Sequence, residues 1–322
     1  LHLANIGAGG VSLTNTTADG NATHGVIATP VTGPVTITGG SFSNNVLGDG
    51  VRLDTTGVTT LSGFTASGNG DDGFDVDRAT SLTIEDLTLK TNGDFGGVID
   101  GTPTVVYRPS TSADADAVEL TDDELRHTRA GDVQQPIFYN LGSTMTIDTR
   151  AGNDTITVSG NPTGIPVATL TLLAGDDHDT ILVTEPTPDL SPFPVTFDIF
   201  GEGGHDGLEV NLGRFSVPTT LTFDGGAGMN GLTVFTRNDA TDLITDDDTV
   251  TINGTKVEAL IPALKTINYT DVLGVSVDVG TGHDTLLINE PVAGTFPASV
   301  SVFGRGGNDG VELNLGRFAF PT

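Results

Sequence analysis

Four aspartates, Asp71, Asp72, Asp75 and Asp77, crowd into seven residues, with Arg78 beside them and Arg52 and Lys90 within 26 residues on either side. Paired carboxylates are what glycoside cleavage uses, one as acid and one as base or nucleophile. A second set of acids recurs instead of crowding. Asp154, Asp179, Asp206, Asp284 and Asp309 each close a Gly-rich turn, with Asn230 in the same place, at spacings of 25, 27, 24, 54 and 25. Two positions after every one stands an apolar residue: Ile156, Ile181, Leu208, Leu232, Leu286 and Val311. If such turns stack, their carboxylates lie ~4.8 Å apart and repel by about 3 kcal/mol at an effective dielectric of ~20. Such a ladder calls for solvation, protonation or a bridging cation. Calcium takes six to eight carboxylate and carbonyl oxygens, and Gly-rich turns expose carbonyls. Asp148, Asp177 and Asp278 lie close by in sequence and complete the expected ligand set with Asp154, Asp179, Asp206, Asp284 and Asp309. The alternative is a solvated acidic face whose turn residues bond the backbone locally. His178, His205 and His283 share the slot before a turn acid, a place Asn153, Met229 and Asn308 fill elsewhere, which favours a surface position over a transition-metal site.

The elements that position these residues are repeats. In the first hundred residues Asn21, Asn45, Asn69 and Asn92 recur at 24, 24 and 23, each followed by a glycine: Gly25, Gly50, Gly73 and Gly96. Between them run short alternating segments such as Val35-Thr36-Ile37-Thr38 and Ser81-Leu82-Thr83-Ile84, the pattern of strands with one buried face. Strands recurring every ~24 residues bury that face only by stacking on the next copy, which is a solenoid. The asparagines then form an interior ladder. Residues 201–219 and 304–322 are identical at 13 of 19 positions at an offset of 103, so a super-repeat lies above the coil. The expected fold is all-β, a right-handed parallel β-helical rod of about a dozen coils with little or no helix. Its parts are 1–105 with the Asn ladder, an irregular connection at 106–144, and 145–322 with the acidic turns. Within the connection, Thr121-Asp122-Asp123-Glu124 has the form of a helix capping box, with an irregular coil as the alternative.

The first hundred residues resemble right-handed parallel β-helix repeats, as in pectate lyases, polygalacturonases and bacterial adhesins. The second part resembles the haemolysin-type calcium-binding repeat, with Gly280-Thr281-Gly282-His283-Asp284-Thr285-Leu286 nearest its Gly-x-Gly-x-Asp-x-Leu pattern. That resemblance implies calcium between stacked turns, although the family's repeats recur every nine residues and these every ~25. The whole resembles the large acidic surface proteins of bacteria.

Composition narrows the function. A net charge of −29, from 42 acids against 13 bases, argues against nucleic acid, and no apolar run reaches membrane-spanning length. There is no cysteine, hence no disulfide or thiolate chemistry. Tryptophan is absent and there are three tyrosines, few for a carbohydrate-binding groove. The expectation is a non-enzymatic structural segment of a secreted bacterial surface fibre or adhesin, stabilised by calcium. Its partners would be copies of itself or further repeats, with cell-surface glycans as a further candidate. A carbohydrate-active enzyme or a glycan-binding module is the alternative. No signal peptide is visible, and the repeat is interrupted at Thr322 without a cap, which suggests a segment of something longer or of an end-to-end assembly.

Overall fold

Apolar residues alternate with polar ones in nearly every strand, and it is the apolar set that is buried. Val51 and Leu53, Phe74 and Val76, and Leu82 and Ile84 are each at most 1% exposed. The computed structural model describes all residues except 102, 122, 142–143, 160–167, 185–195, 215–218, 237–246, 262, 290–295 and 315–322. Among the described residues there is no α-helix, only one short 3-10 turn at Leu212–Arg214. The fold is a right-handed parallel β-helix. The chain divides into two compact units, 1–152 with 166–170, and 153–165 with 171–322. The first unit therefore includes the segment expected to be an irregular connection.

In the first unit, one parallel sheet is laid down by Val26–Val31, Val51–Thr55, Phe74–Asp77 and Gly97–Gly101, and a second by Val35–Ser41, Val58–Ser62, Ser81–Glu85 and Thr104–Arg108. Register is unshifted from Val51–Thr55 onward, as in Val51↔Phe74 and Phe74↔Gly97, with one irregularity between Ala28 and Val31 in the rung before. Thr65–Ser67 and Thr88–Lys90 form a short third side. The recurring glycines have a steric cause. A Cβ on Gly50 would lie 2.5 Å from the carbonyl of Gly73, and one on Gly73 2.3 Å from that of Gly96. Backbones approach too closely there for any side chain.

Residues 116–120, 124–129 and 137–141 are strands, neither helix nor irregular coil. Asp116–Leu120 and Glu124–Arg129 form an antiparallel hairpin, and Ile137–Leu141 returns parallel to Gly97–Gly101. Thr121 does bond Glu124, but as a hairpin turn: its N–H donates to the Glu124 carbonyl (2.9 Å) and its hydroxyl accepts the Glu124 N–H (3.2 Å). Val118, Leu120, Leu125 and His127 are buried with period 2, and that alternation overrides the capping signal.

The second unit repeats the device. Thr249–Asn253, Lys256–Ile261 and Ala263–Thr270 form an antiparallel meander inside a parallel sheet. This explains the long interval of 54. It also has a topological effect. The meander takes three adjacent places in one sheet, so the strands after it change sides. Gly207–Asn211 and its 103-residue copy Gly310–Asn314 lie in different sheets.

Candidate functional site

The turn acids form an interior ladder with its own chemistry. In the first column the side chains turn inward, and Oδ1 accepts the backbone N–H of the preceding rung: Asp154 N to Asp179 (2.8 Å), Asp179 N to Asp206 (3.0 Å), Asp206 N to the Asn230 amide oxygen (2.9 Å). A second ladder follows the meander, Asp248 N to Asp284 (2.9 Å) and Asp284 N to Asp309 (3.2 Å). There are two columns where the sequence suggested one, because the meander moves the later strands to the other sheet. Asp154, Asp179, Asp206, Asp248 and Asp284 are at most 4% exposed, whereas Asp309, in the last described rung, is exposed. Asp248 escaped sequence reading, though its own signal was present: Val250 stands two positions later, as the rule requires. Burial, reinforced by Asp154, Asp206 and Asp177, pushes Asp179 up to about 7, and burial raises Asp206 as well.

The other named carboxylates are engaged elsewhere. Asp148 Oδ2 is 2.8 Å from Arg108 Nε, and buried Asp278 is 2.9 Å from Arg305 Nε. Asp177 is exposed in the short turn strand that pairs with Gly203–Gly204. Those turn strands stack closely. A Cβ on Gly204, at φ +143°, would sit 1.5 Å from the Asp177 carbonyl oxygen. Outside the acid ladder runs a column of exposed side chains. His178 Nδ1 accepts the His205 N–H (3.0 Å), His205 Nδ1 the Met229 N–H (2.9 Å) and His283 Nδ1 the Asn308 N–H (3.1 Å). The rings of His178 and His205 stack at 4.6 Å. With Nδ1 already accepting and the rings parallel, this pair is built for stacking rather than for chelating one metal.

In the first unit the amide ladder forms as expected. Asn45 Oδ1 accepts both the N–H (3.0 Å) and the Nδ2–H (2.8 Å) of Asn21, Asn69 does the same for Asn45, and Asn92 for Asn69. Beside it runs His24, Asp49, Asp72: Asp49 N–H donates to His24 Nδ1 (2.9 Å) and Asp72 N–H to Asp49 Oδ1 (3.1 Å). The next place belongs to Phe95, whose N–H donates to Asp72 (2.9 Å). Asp94 is exposed one residue earlier, because the place lies three residues after Asn92, as it does after Asn69. Phe74 and Val76 point inward, and Asp75 and Asp77 outward, as parity requires. Asp49, Asp71 and Asp72 bring one carboxylate oxygen each within 4.8 Å of one another. Arg52 lies 3.7 Å from Asp49 and 3.6 Å from Asp75 and counters them. Burial, with Asp77 nearby, raises Asp75 to about 7, and burial raises Asp72 to about 6.

A cavity of about 460 Å³ opens in the second unit between the Gly226–Gly228 turn, the hairpin tip Gly254–Thr255 and Tyr269–Leu273. Tyr269 is 3% exposed and its hydroxyl donates to the Asn253 carbonyl, so the cavity has no aromatic platform for a sugar ring. Residues 4–116 match the family model described as a right handed beta helix region. No curated protein and no solved structure matches the chain.

Proposed function

We propose that this chain is a structural segment of a secreted bacterial surface fibre or adhesin, in which coils stack on further coils of the same kind. The observation that carries this reading is the use made of the polar residues. Carboxylates, amides and imidazoles stand in columns and bond the backbone of the adjacent rung. Negative-stain electron microscopy with light scattering over a concentration series tests the proposal. End-to-end particles lengthening with concentration are expected, and uniform monomers throughout would overturn it.

A second reading has one observation in its favour. Asp75, beside Arg52, and Asp72 are both raised toward neutrality, the condition a general acid needs. Cleavage of an acidic polysaccharide, lost in Asp75→Asn, would establish that reading.

A further inference from the structure

The Gly-rich turns contain an internal comparison. At Asp206 and Asn230 the ladder places two side chains of the same shape in the same surroundings, each with Oδ1 accepting the N–H of the rung before. The other terminal atom differs. In Asn230 it is Nδ2, which donates to the carbonyls of Gly225 (2.6 Å), Asp271 (3.2 Å) and Gly226 (3.3 Å). In Asp206 it is Oδ2, seated against Gly201 as Nδ2 of Asn230 is against Gly225. A Cβ on Gly201 would lie 2.6 Å from Asp206 Oδ2 and 2.6 Å from the Gly225 carbonyl oxygen. One on Gly225 would lie 2.7 Å from Asn230 Nδ2 and 2.6 Å from that of Asp271. The backbone matches as well, with φ +66° at Glu202 and +68° at Gly226. Register therefore aims Oδ2 of Asp206 at carbonyl oxygens, where an ionised carboxylate would set acceptor against acceptor. Oδ2 is buried without a hydrogen bond in both Asp206 and Asp179.

We propose that Asp179 and Asp206 are neutral carboxylic acids in the folded chain, each donating an Oδ2 proton to a carbonyl of its own Gly-rich turn as the Asn230 amide does. The charged and titratable groups acting on Asp179 are Asp154, Asp206 and Asp177, and those acting on Asp206 are His178 and His205. A proton suits the site better than calcium, which needs six to eight oxygens at 2.3–2.6 Å. Here Oδ1 of each rung is already held by an N–H. The raised position of both carboxyls agrees with this.

An unfolded aspartate titrates near about 3.9, so the folded chain holds extra protons between about 4 and 7. The stability these rungs contribute is complete below the unfolded value and is lost as pH rises through the raised folded values, about 7 for Asp179. The experiment is thermal unfolding of the full chain from pH 4 to 9, for the wild type and for Asp179→Asn/Asp206→Asn, each in EGTA and in calcium. The double variant, with permanent donors, is expected to melt at a higher temperature than the wild type at pH 8. That advantage should shrink toward pH 5, with calcium having no effect on it. A difference between the two proteins that does not change with pH would overturn the proposal. So would calcium raising the melting temperature of the wild type alone, which would make calcium the occupant. Should the double variant not fold, infrared spectra of the single variants Asp179→Asn and Asp206→Asn decide: protonated-carboxyl intensity at pH 6 below that of the wild type supports the proposal, and intensity equal to the wild type, which Asp75 and Asp72 alone would give, overturns it.

Discussion

Asn69 joins two rungs with a side chain that is 3% exposed. Its Oδ1 takes the N–H and the amide of Asn45, and its own Nδ2 bonds Asn92. Asn69→Ala leaves two buried donors on Asn45 without an acceptor, which should cost on the order of 2–3 kcal/mol, measured by urea unfolding. Gly50→Ala should be destabilising by about 1–3 kcal/mol, because the new methyl would meet the carbonyls of Gly73 and Phe42. Lys265 carries a different signal. It is fully buried, its ammonium bonds the Ile261 carbonyl, and burial lowers it to about 8 despite the attraction of Asp248. Unfolded lysine titrates near about 10.4, so the unfolded chain binds the extra proton between about 8 and 10.4 and stability should rise with pH there. Lys265→Met should abolish that rise in unfolding midpoints. The ladder asparagines and the turn aspartates were legible because one residue type recurs at a fixed interval. Lys265 was not, because nothing in a local window distinguishes a buried lysine from one on a strand's outer face.

Strand placement was legible wherever alternation ran unbroken, and failed where the chain doubled back. The two meanders are themselves related. Tyr139 and Tyr269, Asp148 and Asp278, and Asp154 and Asp284 are each 130 residues apart. Both tyrosines sit in the third strand, and each hydroxyl bonds a carbonyl at its hairpin turn, Thr121 or Asn253. The Gly-rich turns carry the 103-residue offset and leave this one hidden, because the hairpin sequences differ while their topology agrees. The shared tyrosine clamps each meander shut. Tyr269→Phe should therefore cost about 1–2 kcal/mol through the buried Asn253 carbonyl it abandons, and Tyr139→Phe should cost a similar amount, both seen in thermal unfolding.

At the scale of the molecule, charge opposes compaction. With −29 formal charges on 322 residues, self-repulsion is largest at low ionic strength. Raising sodium chloride from 10 to 500 mM should raise the melting temperature, with potassium chloride equivalent. A cation-specific response at equal ionic strength would point to a bound ion instead. The asparagines of both ladders have a further consequence, for chemical ageing. Asn69, Asn92 and Asn230 are each followed by glycine, the context in which a flexible asparagine cyclises and loses its amide fastest. Cyclisation needs the following backbone nitrogen to swing onto the side-chain carbon, and the ladder fixes both. The fold thus shelters these three of the chain's four Asn-Gly pairs, and time spent unfolded is recorded in them. Each amide lost becomes an acid where a donor is required, so a chain left long in denaturant should refold with progressively weaker rungs at these three positions.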